Sequence, residues 1–197
     1  AIVHLAAQTG VPGSVADPAR DCQVNVVGTL NVLEAFRAEA YRRRDGREKM
    51  RFVFASSNAP LGPQAGPANE DAVPRPVSPY GASKLAGELL LRAAWPKHYI
   101  IRTCGLYGLA GASGKAGGSG SAARSNSNFV NIMLKLAGEG RAIRVVNDQT
   151  CTPTFTQDLA RQIARLIETD AYGTYHITND GACTWYEFAC EIFHLAG

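Results

Sequence analysis

Short apolar runs alternate with longer stretches of helical periodicity along the first half of this 197-residue chain. The runs at residues 1–7, 51–57 and 99–102 are bounded by polar residues, which is typical of buried parallel strands. Apolar positions at helical spacing predict helices over residues 18–39 and 78–94. This alternating order favours right-handed crossovers, so we predict an α/β fold with a parallel sheet covered on both faces.

The later part of the chain has shorter and less regular patterns. Residues 110–127 consist mainly of glycine, serine and alanine, which bury too little apolar surface to offset their ordering entropy, so we expect a flexible loop. Beyond it, the apolar spacing predicts three helices and two short strands. The helices begin at residue 128, at residue 154 or 156, and at residue 184, and the strands cover residues 143–146 and 175–178.

Composition narrows the class of protein. The chain is 46% hydrophobic and 19% charged, as in soluble globular proteins, and its apolar runs are far shorter than the roughly 18 residues that span a bilayer. Five cysteines without C-x-x-C spacing predict reduced thiols in the cytoplasm, and four histidines without ligand spacing predict no metal site. A basic cluster at residues 42–51 lacks aromatic residues, which predicts a solvated loop rather than a nucleic-acid site.

The stretch from Ser78 to Glu88 contains the candidate chemistry. Ser78 is a favourable N-cap and Pro79 fits the first helical position, so we predict that a helix begins here. Tyr80 and Lys84 then share one helix face, because residues four apart lie one above the other. An ammonium group and a helix N-terminus both favour a phenolate, so we expect the pKa of Tyr80 to fall from its usual value of about 10. Such a pair would transfer protons.

Three of the predicted strands end in residues that suit ligand contact. Ligands bind at the carboxyl ends of strands in open parallel sheets, and these ends carry Ala6 and Ala7, Ser57, and Thr103. The small alanine side chains allow a ligand to approach the backbone closely. The Ser57 hydroxyl would hold a substrate oxygen and, beside the tyrosine–lysine pair, complete a proton relay. Hydride transfer between an alcohol and a carbonyl requires such a relay.

Several motifs resemble those of one known enzyme family. In the first half they are His4-Leu5-Ala6-Ala7-Gln8, Asn25-Val26-Val27-Gly28-Thr29, Phe54-Ala55-Ser56-Ser57 and Tyr80-Gly81-Ala82-Ser83-Lys84. In the second half they are Arg102-Thr103-Cys104-Gly105, Val145-Val146-Asn147-Asp148-Gln149 and Thr184-Trp185-Tyr186-Glu187-Phe188. The chain resembles the extended short-chain dehydrogenase/reductases of the NAD-dependent epimerase/dehydratase family. Residues 2–88 resemble nucleotide-sugar 4-epimerases, and residues 100–197 resemble dTDP-4-dehydrorhamnose reductases.

The resemblance implies a role for each matching residue. Ser57, Tyr80 and Lys84 would form the catalytic triad, in which Tyr80 exchanges the proton and Lys84 also holds the nicotinamide ribose. Asn25 would support the lysine from a neighbouring helix. The residues implied in binding the cofactor, NAD or NADP, are Leu5, Ala6, Ala7, Asn25, Ser56, Tyr80 and Lys84. Those implied in binding the nucleotide-sugar substrate are Ser57, Asn58, Thr103 and Asn128.

The resemblance also implies a domain organisation. Residues 1–105 would be a Rossmann-type dinucleotide-binding part that carries the triad, and residues 106–197 a small substrate-binding α/β part. In the family, a glycine-rich turn that cradles the pyrophosphate precedes the first of these strands. We therefore expect the numbered chain to start inside a longer fold and to lack the N-terminal strand–turn–helix. The resemblance alone suggests a homodimer.

Three functions remain open from the sequence. We favour a NAD(P)-dependent nucleotide-sugar epimerase, which removes a hydride at sugar C4 and returns it to the other face, because the triad lies in the epimerase-like part. The alternative is a dTDP-4-dehydrorhamnose reductase-type enzyme, which delivers a hydride from NADPH to a 4-keto sugar. A second alternative is a truncated, non-catalytic relative. Asn58 and Ala59 stand where the family's dehydratases carry an Asp-Glu pair, which argues against dehydration.

Overall fold

A computed structural model describes residues 1–43, 46–109, 128–140 and 142–197 of the chain. Its helices are α1 (Val11–Ala16), α2 (Pro18–Cys22), α3 (Gly28–Arg42), α4 (Pro79–Ala94), α5 (Phe129–Gly138), α6 (Thr156–Leu166) and α7 (Trp185–Ala196). Its strands are β1 (Ile2–His4), β2 (Phe52–Ala55), β3 (His98–Arg102), β4 (Leu106–Tyr107), β5 (Thr150–Cys151), β6 (Thr154–Phe155), β7 (Gly173–His176) and β8 (Cys183–Thr184). The predicted flexible loop at 110–127 lies outside the described residues. Within the described part, none of the helices is both long and apolar enough to cross a membrane.

The chain divides into two compact units, and the first contains the main sheet. This unit comprises Ala1–Thr103 and Ile163–Ile177, and the second comprises Cys104–Gln162 and Thr178–Gly197. The sheet of the first unit has four strands in the order β1-β2-β3-β7, and every neighbouring pair is parallel. The predicted α/β class with a parallel sheet is therefore confirmed. Because all four strands run in one direction, their carboxyl ends lie at one edge, where the candidate site residues follow β1, β2 and β3.

The core of the first unit lies where α3 and α4 pack on one face of the sheet. Its buried residues are Leu33, Phe36 and Ala40 of α3, Phe52 and Phe54 of β2, Leu91 of α4, Trp95 directly after α4, and Ile100 of β3. Val53, Tyr99 and Ile101 alternate with these along β2 and β3 and are also buried, so both faces of the central strands are covered. This explains why the strands read as continuous apolar runs in the sequence.

The predicted helix over residues 18–39 is interrupted in the structure. The helix α2 ends at Cys22, a π-helical turn spans Gln23–Val27, and α3 continues from Gly28 to Arg42. A π turn inserts one extra residue into a helix, a distortion that is frequent at functional sites. The turn contains Asn25, whose side chain is buried and fully engaged in hydrogen bonds. Apolar spacing does not reveal it, because the residues on both sides keep helical periodicity.

The described residues of the second unit form two short strand pairs, two packed helices and the first part of α6. Strand β4 pairs in parallel with β6, and β5 pairs antiparallel with β8. The helices α5 and α7 share a small core around Met133, Ala189 and Ile192. The prediction of a strand at residues 143–146 is wrong, because the structure describes these residues and they pair with no strand. Ile143 and Val145 instead pack against the helical core, which accounts for their alternating pattern.

Gly87 allows α4 to lie unusually close to the sheet. A Cβ atom at this position would lie 2.5 Å from Cζ of Phe54 on β2, so any larger residue would collide with a buried aromatic ring. The absence of a side chain at Gly87 therefore sets the distance between the helix and the strand that together carry the candidate site.

We expect Gly87→Ala to lower the free energy of unfolding by about 1–3 kcal/mol, because the added methyl overpacks the core. In an unobstructed helix, the same change would stabilise the protein by about 0.5–1 kcal/mol. Gly138→Ala in α5 is the matched control, since a Cβ there has no atom within 4 Å. Urea unfolding of both variants measures the difference, and equal behaviour of the two would contradict the close packing at Gly87.

Candidate functional site

The start of α4 is fixed at three points. As the sequence predicted, the Ser78 side chain caps the helix by accepting a hydrogen bond from Gly81 N at 3.1 Å, and Pro79 occupies the first turn. The Tyr80 backbone N–H donates to the hydroxyl oxygen of buried Ser14 at 3.1 Å. A Cβ at Gly81 would lie 2.6 Å from the carbonyl oxygen of Ala59, so the helix start also presses against the loop that follows β2. These contacts fix the position from which the Tyr80 side chain extends.

Ser57 and Tyr80, two members of the predicted triad, lie near each other. The Ser57 hydroxyl is close enough to the Tyr80 phenol to act on the pKa of that phenol. The Ser57 oxygen also accepts the Ala59 backbone N–H at 3.2 Å and lies 3.3 Å from Oδ1 of Asn58, whose side chain is exposed. The structure thus places a serine hydroxyl and a phenol side by side at the carboxyl end of β2.

The pKa of Tyr80 differs from the sequence expectation. Burial raises the pKa of this phenol, the hydrogen bond from Ser57 opposes that rise, and the negative charge of Asp21 adds to it. The expected lowering by Lys84 is wrong for this structure, because removal from water outweighs the contacts that favour the phenolate. Tyr80 is therefore held as the protonated phenol at neutral pH.

Lys84 carries a buried ammonium group that contacts residues of β2. Its side chain is 5% exposed, its Nζ donates to the Ala55 carbonyl oxygen at 2.6 Å, and it lies 4.9 Å from the centre of the Phe54 ring. Burial lowers the pKa of Lys84 to about 8, although the charges of Asp21 and Glu88 act in the opposite direction. Lys84 accordingly holds its proton less firmly than a lysine in water.

Asn25 connects three segments around this pair. Its side-chain oxygen accepts the Gln8 backbone N–H at 2.8 Å, and its Nδ2 lies 3.1 Å from the Gln8 carbonyl oxygen, from Oδ1 of Asp21 and from the Ser83 hydroxyl. The support that the resemblance assigned to Asn25 therefore reaches α4 at Ser83, the residue before Lys84. Asp21 lies four residues before Asn25, a spacing that was visible in the sequence but to which no role was assigned.

A second buried network of hydrogen bonds lies about one turn beyond Lys84 on α4. Glu88 is fully buried and accepts hydrogen bonds from the Ser56 hydroxyl at 2.6 Å and from Arg102 at 2.7 and 2.9 Å. Because the Ser56 hydroxyl is directed to Glu88, its predicted contact with a cofactor would involve other atoms of the residue and stays a prediction. Glu88 follows Lys84 by four residues, as Lys84 follows Tyr80, which is the signal that could have revealed it.

The remaining predicted residues occupy varied positions. Leu5 is 66% exposed, Ala6 is exposed and Ala7 is half-buried, so the chain after β1 presents backbone and small side chains to solvent.

Thr103 is 8% exposed, and its hydroxyl has no hydrogen-bond partner among the described residues. Asn128, in the second unit, caps α5 through Asn131 N at 3.0 Å and donates to the Gly108 carbonyl oxygen at 2.8 Å. Its proposed contact with substrate stays a prediction.

Metal-ligating side chains do not cluster in the part of the chain that the structure describes. No group of three or more histidine, cysteine, aspartate or glutamate residues there could hold a metal ion. All five cysteines are free thiols, and burial raises the pKa of Cys151 to about 12.

Comparison with known proteins identifies the family. The RmlD substrate binding domain family matches residues 1–197. The chain belongs to this family. This RmlD-family chain is 33% identical over 202 residues to dTDP-4-dehydrorhamnose reductase of Streptomyces griseus, covering 100% of the chain and 59% of the relative. It is 34% identical over 197 residues to the probable dTDP-4,6-dihydroxy-2-methyloxan-3-one 4-ketoreductase of Streptomyces antibioticus, covering 98% and 59%. The chain thus spans less than two thirds of the length of these relatives.

Solved structures agree with this family. The crystal structure of dTDP-4-dehydrorhamnose reductase from Bacillus anthracis in complex with NADP matches with a TM-score of 0.79 and 33% identity, covering 99% of this chain and 61% of that one. The UDP-glucuronic acid 4-epimerase from Bacillus cereus, in complex with UDP-glucuronic acid and NAD, matches with a TM-score of 0.78 and 23% identity, covering 98% and 58%. The second likeness shows the fold alone. The resemblance to nucleotide-sugar reductases is therefore confirmed, and the resemblance to epimerases is confirmed in the Rossmann-type fold alone.

Protein stability should depend on pH through Lys84. Its pKa of about 8 lies below the unperturbed 10.5, so the unfolded chain binds this proton more tightly and the buried ammonium is unfavourable below pH 8. That penalty should disappear as the pH rises from about 8 to about 10.5. We expect Lys84→Met to be more stable than wild type by about 1–3 kcal/mol near pH 7, after the loss of the Ala55 hydrogen bond, with the gap narrowing toward pH 10.5.

Urea unfolding across this pH range measures the gap. Lys49→Met removes an exposed lysine and serves as the control, for which we expect no comparable pH-dependent gap. A difference between Lys84→Met and wild type that does not change with pH would show that the Lys84 ammonium is not destabilised by burial.

Proposed function

We propose that this chain carries the proton-donating site of a NADPH-dependent reductase that converts the 4-keto group of a nucleotide-linked sugar to an alcohol. Two relatives that match nearly all of the chain, at 33% and 34% identity, are named as a dTDP-4-dehydrorhamnose reductase and a probable 4-ketoreductase. The proposal corresponds to the alternative hypothesis from the sequence rather than to the favoured epimerase.

The identity of 33% and 34% to two named reductases over nearly the whole chain is the observation that carries the proposal, and the direction of the Tyr80 pKa shift agrees with it. A reductase begins with a ketone, so its catalytic tyrosine must start as an acid that can donate a proton. An epimerase begins with an alcohol, so its tyrosine must start as a base. Burial and the charge of Asp21 raise the pKa of Tyr80, which supports the acid role at neutral pH.

Each side chain then has a distinct task. Ser57 would donate a hydrogen bond to the substrate keto oxygen and align it with the nearby Tyr80 phenol. As a hydride reaches the carbonyl carbon, the phenol proton would pass to the oxygen, so the C=O bond becomes CH–OH and Tyr80 becomes a phenolate. The Ser57 hydrogen bond and the Lys84 ammonium would stabilise that phenolate until solvent returns the proton.

The residues at the end of β1 suit a nicotinamide dinucleotide. Leu5 and Ala6 are exposed, and their neighbour Gln8 is held by Asn25, so a ligand could lie against an ordered backbone. The side-chain oxygen of Gln8 is buried and lacks a hydrogen-bond partner among the described residues, as does the Thr103 hydroxyl. These residues and Lys84 would hold the cofactor, which supplies the hydride when bound.

Turnover distinguishes the proposed reductase from its rivals. With a dTDP-linked 4-keto-6-deoxy sugar, we expect one NADPH to be oxidised for each alcohol formed. An epimerase would interconvert sugars with catalytic NAD and no net consumption of reduced cofactor. A non-catalytic relative would show neither reaction, and calorimetric titration would show no stoichiometric binding of NADPH. Either result would overturn the proposal.

We expect Tyr80→Phe to lower kcat for keto-sugar reduction by at least about 10²-fold, because phenylalanine fills the space but has no proton to donate. Tyr41→Phe is the matched control, since Tyr41 lies on α3 with 65% of its surface exposed, and its activity should equal that of wild type. Wild-type turnover in Tyr80→Phe would remove this phenol from the mechanism.

A further inference from the structure

Asp21 is a buried carboxylate to which the triad chemistry assigns no role. It is 1% exposed and lies in α2, one of the elements packed against α4. Its Oδ1 accepts a hydrogen bond from Asn25 at 3.1 Å, while its Oδ2 is buried without a partner among the described residues. A buried carboxylate oxygen without a hydrogen-bond donor lowers stability. We therefore look for another group on which the charge of Asp21 acts.

The groups that Asp21 influences are the proton-transfer residues. Its negative charge favours the protonated forms of both Tyr80 and Lys84. The other ionisable groups that interact with Lys84 are Glu88, on the same helix, and His4 of β1. The charge of Glu88 is already balanced by Arg102 of β3 at 2.7 Å and by Arg92 at 3.8 Å. Asp21 differs from Glu88 in that it forms no ion pair among the described residues.

We infer that Asp21 is a positioning residue for the proton-donating pair. Through Asn25 it connects α2 to Ser83 on α4. Its charge, which forms no ion pair among the described residues, favours the proton-bearing forms of Tyr80 and Lys84. This inference rests on the proposed function, because only a site that donates a proton benefits from a carboxylate that retains it.

The direct test measures the Lys84 proton without any turnover. In protein labelled with ¹³C at the lysine ε-carbons, the Lys84 signal is identified by its absence in Lys84→Met, and its titration in wild type should have a midpoint of about 8. Asp21→Asn keeps the shape and the oxygen that Asn25 requires but removes the charge. We expect its Lys84 midpoint to lie about one pH unit lower, or more.

Asp17→Asn is the matched control for this substitution. Asp17 caps α2, where its Oδ1 accepts the Arg20 backbone N–H at 2.9 Å, and its side chain is exposed. Asparagine caps helices equally well, so the control should leave the Lys84 midpoint unchanged. An unchanged midpoint in Asp21→Asn would overturn the inference. If Asp21→Asn does not fold, Asp21→Ser replaces it, and failure of both to fold would assign Asp21 a purely structural role.

Kinetics supply the second readout. In NADPH-dependent reduction of the keto sugar, the alkaline limb of the kcat profile should move about one pH unit lower in Asp21→Asn and stay in place in Asp17→Asn. A change in kcat with an unmoved limb would contradict the inference. Absence of reductase activity in wild type would refute the proposed function, whereas the Lys84 titration would still decide the role of Asp21.

Discussion

The buried carboxylate of Glu88 is the interaction on which the arrangement of the first unit depends. It lies on α4 and binds Ser56 after β2 and Arg102 at the end of β3, so one group ties a helix to two neighbouring strand ends. A buried ion pair adds little net stability over a hydrophobic alternative, but losing one partner leaves an uncompensated charge. Its contribution is therefore geometric, because only one register of α4 on the sheet satisfies all three hydrogen bonds to these two partners.

Burial shifts the pKa values of Tyr80 and Lys84, the two functional groups of α4, in opposite directions. Removing a phenol and an ammonium from water disfavours the charged form of each, so the Tyr80 pKa rises while the Lys84 pKa falls. The two pKa values, which lie close together in water at 10.0 and 10.5, therefore move apart, and that of Lys84, at about 8, lies below that of the phenol. As the pH rises, Lys84 loses its proton before Tyr80, so the phenol keeps the proton that it would donate.

The sequence revealed those features that follow from local pattern. Ser78 and Pro79 indicated the start of α4 because capping depends on a few neighbouring residues, and the structure places Ser57 and Tyr80 near each other. The sign of the Tyr80 pKa shift could not be predicted, since burial depends on tertiary packing that no spacing encodes. The strand expected at residues 143–146 failed for a related reason, because alternating apolar residues pack against helices as readily as they form a ladder.

The Asn25 side chain bonds to both the N–H and the C=O of Gln8, much as a neighbouring strand would. A single amide thus replaces a ladder partner where β1 has already ended, and the π turn is the local backbone shape that holds this amide at Gln8. Each bond holds one of the two peptide units that flank Gln8, so neither unit can rotate without breaking its bond to Asn25. The loop after β1 is therefore preorganised, and a ligand that binds against it would not have to immobilise these two peptide units, an entropic cost that flexible binding loops incur with each ligand.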